Sequence, residues 1–155
     1  MARVIRIELI AVVFLALVFF VFFIVFNNSP PVDGLDFEKQ LMLKINNATL
    51  NIEFARTDAE RQKGLSGRES LASESGLLFI FELPGRYGFW MKDMKFPIDI
   101  IWIDENKKIA DITANLLPSS FPQTFLPASP IKYVLEVNAF WAEKNNIKIG
   151  DTASF

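Results

Sequence analysis

The most marked pattern along the chain is an uninterrupted apolar stretch near its N-terminus. Residues 9–26 read LIAVVFLALVFFVFFIVF, eighteen positions without a polar side chain. As a helix they would span about 27 Å, close to the thickness of a bilayer core. The stretch is longer than the apolar core of a signal peptide, and Asn27, Asn28 and Ser29 follow it instead of a small-residue cleavage site. Residues 1–26 are therefore predicted to be an uncleaved transmembrane signal anchor.

The charges that flank this stretch predict its orientation. Arg3 and Arg6 precede it, whereas the first charges after it are Asp33, Asp36 and Glu38. Because basic residues stay on the cytoplasmic side, we expect a single-pass plasma-membrane protein with a cytoplasmic N-terminus and an extracytoplasmic C-terminal domain. The lipid bilayer is then a partner through residues 9–26. The alternative, an apolar helix inside a soluble core, is less favoured because so small a domain could hardly cover every face of it.

Beyond the anchor, the patterns change to short alternating runs. Residues 27–36 (NNSPPVDGLD) have the composition of a linker, which leaves residues 37–155 for one domain. Residues 49–54 alternate between apolar and polar positions, and residues 41–45 precede them across Asn46 and Asn47, which predicts a β-hairpin. Thr57 and Glu60 form a capping-box pattern before Gly64, which predicts a helix over residues 58–63.

Further runs predict two more hairpins and a final helix and strand. Residues 77–81 and 87–92 are joined through a Pro-Gly turn, and residues 98–103 precede residues 109–113 across a polar turn. Residues 116–130 contain four prolines and are predicted to form a long surface loop. A strand over 131–137, a helical stretch over 138–146 and a last strand within 147–155 complete the pattern. The predicted fold is mainly β, a compact antiparallel sandwich or small barrel with one or two short helices, preceded by one transmembrane helix.

Composition removes several classes of chemistry. The chain has no histidine and no cysteine, so imidazole catalysis, thiol chemistry and the usual zinc sites are excluded. No cofactor or metal is expected. Without Arg3, Arg6 and Glu8 the chain keeps 14 basic and 17 acidic residues with no basic cluster, so nucleic acid is not an expected partner.

Several motifs of the domain resemble the domain of unknown function 192 family. They are Arg61-x-x-Gly64-Leu65-x-x-Arg68, Gly76-Leu77-Leu78-Phe79-x-Phe81, Phe89-Trp90-Met91-Lys92, Pro97-Ile98-Asp99-Ile100, Tyr133-Val134-Leu135-Glu136 and Gly150-Asp151. The resemblance covers about residues 37–155 and implies a compact, mainly β domain that is often exported and has no established activity. Ser66 stands where the family usually has methionine, and Asp93-Met94 where Asn-Thr is common.

The segment around the Phe89-Trp90-Met91-Lys92 motif holds the candidate site. In an extended strand Trp90 and Lys92 share one face, where a ring and a cation can bind a sugar-like ligand; the alternative is a core tryptophan beside a solvated lysine. Asp99 lies in an apolar run, so it needs a partner, and Arg68 and Lys92 are the candidates. Glu136 could pair with Asp99 as the two carboxylates of a hydrolase or lyase.

Three functional hypotheses follow from these residues. The leading one is a membrane-anchored extracytoplasmic β domain that binds a small or glycan-like ligand through Arg68, Trp90, Lys92, Asp99 and Glu136. The second is an interaction or scaffolding module of the cell envelope, in which Phe121 and Phe125 of the proline-rich loop contact another protein. The third is the carboxylate-dependent hydrolase or lyase, which requires Asp99 and Glu136 to face one pocket.

Overall fold

A computed structural model of the chain describes residues 42–155. The predicted anchor, the linker and the predicted start of the domain at residue 37 lie outside this range. The described part contains nine strands, two short α-helices and one 3₁₀ turn. Their bounds are β1 (Met42–Ile45), β2 (Ala48–Ala55), α1 (Asp58–Lys63), β3 (Ser75–Gly85), β4 (Phe89–Trp90), β5 (Ile98–Ile103), β6 (Ile109–Leu116), the 3₁₀ turn (Pro118–Ser120), β7 (Thr124–Phe125), β8 (Ile131–Asn138), α2 (Trp141–Lys144) and β9 (Ala153–Ser154).

Seven of the strands form one mixed sheet in the order β6-β5-β8-β3-β2-β1-β9. Every pair in it is antiparallel except β2 and β3, which run parallel and are joined by the crossover that contains α1. Strands β4 and β7 form a separate two-stranded ribbon. The domain is thus mainly β with short helices, as predicted, but the sheet is not purely antiparallel.

The two outer strands of the sheet meet at one end. Lys108, just before β6, forms an antiparallel bridge with Thr152, just before β9. The amide of Ile109 donates to the carbonyl of Asp151 at 2.8 Å, and that of Ala153 donates to the carbonyl of Lys107 at 2.8 Å. The sheet therefore curls into a half-barrel. The sandwich alternative was wrong, because one sheet bends round on itself instead of packing against a second one.

Each face of this sheet carries its own apolar cluster. One cluster lies on the face to which Leu78, Ile101 and Val137 point, and α2 packs there through Trp141 and Ala142. The other lies on the opposite face and contains Leu77, Phe79, Ile100, Trp102 and Val134. Because β5 is covered on both faces, all six of its residues are buried, including Asp99. The near-continuous apolar run of β5 follows from this double covering.

The local predictions were largely confirmed. The β1–β2 and β5–β6 hairpins form, and α1 has the predicted bounds. The hydroxyl of Thr57 accepts from the amide of Glu60 at 3.2 Å, while the Glu60 carboxylate accepts from the amide of Thr57 at 2.8 Å. This reciprocal pair is the predicted capping box.

The predicted hairpin of residues 77–81 with 87–92 was wrong. Strand β3 runs from Ser75 to Gly85, through the proline that was expected to end it, and pairs with β2 and β8. Residues Phe89 and Trp90 pair instead with Phe125 and Thr124 in the proline-rich loop. The C-terminal helix and strand are present but shorter than predicted.

Within residues 42–155, no helix is long and apolar enough to span a bilayer.

Candidate functional site

An aromatic pocket opens beside α1, between this helix and the segment from β3 to β4. Its volume is about 270 Å³. Its lining comes from α1 and the turn after it, from β3, from residues 87–94 and from one residue of β8. The lining residues are Arg61, Gln62, Lys63, Gly64, Leu65, Ser66, Phe79, Phe81, Tyr87, Gly88, Phe89, Trp90, Met94 and Glu136.

Aromatic rings that contact one another form one wall of the pocket. Phe81 stacks on Tyr87 with centroids 3.7 Å apart, and Phe79 and Phe89 form a T-shaped pair with centroids 4.9 Å apart. Phe89 also contacts the fully buried Trp102 at 5.4 Å. Since Phe79 and Trp102 belong to the core, these rings are held in place by packing and form a preformed apolar surface.

Two glycines allow the segments around the pocket to approach closely. Gly64 ends α1 with φ +47°, a conformation that L side chains rarely adopt, and a Cβ there would lie 3.3 Å from the ring of Phe79. A Cβ on Gly88 would lie 2.7 Å from the methyl group of Thr124 in β7. Larger residues at these positions would push α1 or the β4–β7 ribbon away from the pocket.

Arg61, one of the two cations on α1, is already bonded to protein groups. The Arg61 guanidinium donates to the carbonyl of Ile80 at 2.9 Å and to the carbonyl of Arg56, and it pairs with the Asp58 carboxylate. It also lies over the ring of Phe81, 5.3 Å from the centroid. Arg61 therefore ties α1 to β3 and holds one aromatic ring of the pocket.

Glu136 is the unusual group of the pocket. It lies on β8 opposite Leu77 of β3 and Ile100 of β5, only 5% of its surface is exposed, and its Oε2 has no hydrogen-bond partner among residues 42–155. Burial raises the pKa of the Glu136 carboxyl to about 8, and the nearby positive charge of Arg68 opposes this rise. A neutral carboxylic acid thus lines the pocket at pH 7.

Arg68 lies near Glu136 but is paired elsewhere. Its guanidinium donates two hydrogen bonds to the Glu53 carboxylate, at 2.6 and 2.9 Å. The bond from Arg68 lowers the pKa of the Glu53 carboxyl. The sequence had suggested Arg68 as a partner of Asp99, but the two do not pair. Glu53 on β2 is within reach of Arg68, whereas Asp99 lies on the other face of the sheet.

Trp90 and Lys92 lie at the surface. Trp90 lines the pocket with 52% of its surface exposed, and its ring forms a T-shaped pair with Phe121, with centroids 6.3 Å apart. The exposed Lys92 lies outside the pocket lining, in the turn after β4, and its carbonyl accepts from the Ser66 hydroxyl at 2.8 Å. Trp90 therefore lines the pocket and Lys92 does not.

Asp99 has a structural role on the opposite face. Its Oδ1 accepts from the amides of Asn115 at 2.8 Å and Phe140 at 3.1 Å, and its Oδ2 accepts from the amide of Ala142 at 3.0 Å. The amides of Phe140 and Ala142 belong to the start of α2, whose own N-cap residue supplies no side-chain hydrogen bond. Asp99 thus caps this helix from a neighbouring strand.

The two buried carboxyl groups do not form a pair. Asp99 is opposite Val137 in the β5–β8 ladder, whereas Glu136 is opposite Ile100. Because neighbouring residues of a strand point to opposite faces, a sheet separates the two side chains. The geometry required for the carboxylate hydrolase or lyase is absent from this pair.

Sequence reasoning missed the aromatic wall and α1 as parts of the site. The alternation of Phe79 and Phe81 in β3 was a signal that these rings share a face, but Tyr87 and Phe89 join them only through the fold. The described residues contain no cluster of three or more acidic side chains that could hold a metal ion.

Comparison with known proteins assigns the domain to a family. The model of DUF192, a family described as "Uncharacterized ACR", matches residues 41–155. The chain belongs to the DUF192 family. This confirms the resemblance seen in the sequence motifs. Two residues of those motifs, Gly64 and Phe89, also line the pocket.

Two solved structures resemble this DUF192 chain closely. A protein of unknown function from Novosphingobium aromaticivorans is 31% identical, with a TM-score of 0.70 over 81% of this chain and 90% of its own. A protein from Sinorhizobium meliloti, named as a proposed transcription regulator, is 28% identical, with a TM-score of 0.69 over 73% of this chain and 91% of its own. No curated protein matches the sequence.

Proposed function

We propose that this DUF192 chain is a membrane-anchored, extracytoplasmic domain that binds a small ligand in its aromatic pocket. The observation that carries the ligand site is the buried carboxyl of Glu136, which lines a preformed pocket of about 270 Å³ and has an oxygen without a partner in residues 42–155. A buried polar group left unpaired costs on the order of 1–3 kcal/mol, so a ligand that bonds it gains binding energy. The aromatic rings supply apolar contact area around it.

The proposed location depends on the sequence of residues 1–36. The apolar stretch at 9–26 and the basic residues before it support an anchor with the domain outside the cytoplasm. We expect protease added to intact cells to digest the C-terminal domain, and carbonate extraction to leave the full chain in the membrane. Protection of the domain until the cells are lysed would contradict the orientation, and release by carbonate would contradict the anchor.

The ligand site is tested by titrating small molecules, including sugars, into the purified full chain and recording NMR shifts. A ligand of the pocket is expected to shift the indole signal of Trp90 and the amides of Gly64 and Ser66. Replacing Trp90 with alanine removes a half-exposed wall of the pocket and should weaken binding about tenfold, as a lost aromatic contact does. Ile149→Ala is the matched control, since Ile149 is 65% exposed and is not part of the pocket lining.

The titration also has clear adverse outcomes. If no compound of any class shifts the pocket signals, the small-ligand function is wrong. Equal loss of affinity in Trp90→Ala and Ile149→Ala would place the binding elsewhere.

A second candidate function is docking of an envelope protein. Trp90, Phe121 and Leu126 are 52%, 44% and 53% exposed and lie on or beside the β4–β7 ribbon. Clustered exposed apolar side chains are typical of interaction surfaces. Phe125, the other predicted contact residue, is half-buried against the core. If Trp90→Ala leaves ligand binding intact but removes a crosslink to another membrane protein, docking is the function of this surface.

DNA binding, which the name of the Sinorhizobium protein would suggest, is not part of the proposal. Residues 9–155 have three more acidic than basic side chains and contain no basic cluster to neutralise phosphates.

A further inference from the structure

The charges around the pocket differ in how far they are neutralised. Arg61 and Lys63 are the two cations of the lining, and Glu136 is its one acid. Arg61 is paired with Asp58. Lys63 is exposed and forms no ion pair with any residue of the described range 42–155. The pocket therefore offers a free positive charge at its border.

The carboxyl group of Glu136 is a hydrogen-bond donor at neutral pH. Because burial raises its pKa to about 8, the proton stays on the group at pH 7. A carboxylic acid kept neutral in this way can donate a strong O–H hydrogen bond. On the adjacent strands its partners Leu77 and Ile100 carry no charge. The titratable and charged groups around it are Arg61, Lys63 and Tyr87 in the lining, and Arg68 with its partner Glu53.

Lys63, unpaired within residues 42–155, and the protonated Glu136 together favour a negatively charged ligand. Building on the proposed pocket, we propose that its ligand is a small organic acid, with an apolar body against the aromatic wall and a carboxylate that accepts the O–H of Glu136 and is attracted by Lys63. A hydrogen bond between a carboxylic acid and a carboxylate is among the stronger ones in proteins. An ammonium ligand is disfavoured, because Lys63 would repel it and because it could form an ion pair with Glu136 only if the buried carboxyl lost its proton.

The inference is tested with three probes that share one body, namely 3-phenylpropionate, 3-phenylpropionamide and 3-phenylpropylamine, titrated into the full chain. At pH 6.5 the acid should bind at least about tenfold more tightly than the amine. Above pH 8 the Kd of the acid should rise, by up to about tenfold per pH unit, as Glu136 loses the donated proton. Glu136→Gln keeps an N–H donor, so the variant should still bind 3-phenylpropionate, but its Kd should no longer rise above pH 8.

Two lysine variants separate the pocket from general charge effects. Lys63→Gln should weaken binding of the acid about fivefold and leave binding of the neutral amide unchanged. Lys144→Gln removes an exposed lysine on α2, on the other face of the sheet, and should change neither. Equal effects of the two variants would contradict a role for Lys63.

The inference and the proposed function fail in different ways. Tighter binding of the amine than of the acid, or an acid affinity that rises with pH, would overturn the organic-acid assignment. So would pocket shifts caused only by neutral or cationic compounds, although the pocket would still be a ligand site. Absence of pocket shifts with every compound would refute the site itself.

Discussion

Replacing Asp99 with alanine is expected to lower the free energy of unfolding by about 3–5 kcal/mol. The Asp99 side chain is fully buried and accepts from three backbone amides, two of them at the start of α2. In the variant these amides lose their acceptor, and water cannot replace it without opening the packing of α2 on β5. Chemical denaturation followed by tryptophan fluorescence measures the change.

Two further variants make this expectation specific. Asp99→Asn keeps the size and one acceptor oxygen, so it should lose less than the alanine variant. Glu105→Ala removes an exposed acid in the β5–β6 turn and should change stability by less than about 0.5 kcal/mol. If Asp99→Ala is as stable as Glu105→Ala, the capping role is wrong.

Replacing Glu136 with glutamine is expected to stabilise the domain at alkaline pH. The folded state holds the Glu136 proton up to about pH 8, whereas the unfolded chain releases it near 4.5. Between these values the folded state binds more protons, so this group makes stability fall as pH rises, by up to about 1.4 kcal/mol per pH unit. At pH 9 the variant should be more stable than the wild type by about 3–5 kcal/mol, and at pH 4 the two should be similar.

Unfolding curves from pH 4 to pH 9, with an NMR titration of the carboxyl carbon, check this result. Glu53→Gln is the control of opposite sign, because Arg68 lowers the pKa of Glu53 and the stability it supplies is present above about pH 4.5 and lost below. Parallel curves for the wild type and Glu136→Gln over the whole range would show that the carboxyl does not titrate from a buried, unpaired state.

Local patterns in the sequence were sufficient for the elements whose bonds are local. Helix α1 is specified by Thr57, Glu60 and Gly64, all within eight residues, and the β1–β2 and β5–β6 hairpins join neighbouring runs. The β3–β4 hairpin failed because β3 gains more by pairing with β2 and β8, which are distant in the sequence. Turn residues in the sequence do not indicate which distant strands a run will pair with.

The candidate site shows the same division. The apolar neighbours of Asp99 identified it as a buried acid that needed a partner, but its partners are backbone amides up to 43 residues away, which have no sequence signature. Trp90 and Glu136 were predicted separately as candidate residues. Their meeting with α1 and the aromatic rings depends on the parallel crossover between β2 and β3, which an antiparallel fold would not contain.

The junction between Lys108 and Thr152 bears on how the domain behaves at high local density. A sheet with two free borders offers templates on which other chains can add strands and aggregate. Here the edges of β6 and β9 pair with each other over part of their length, so copies at high concentration find fewer unpaired backbone groups to extend.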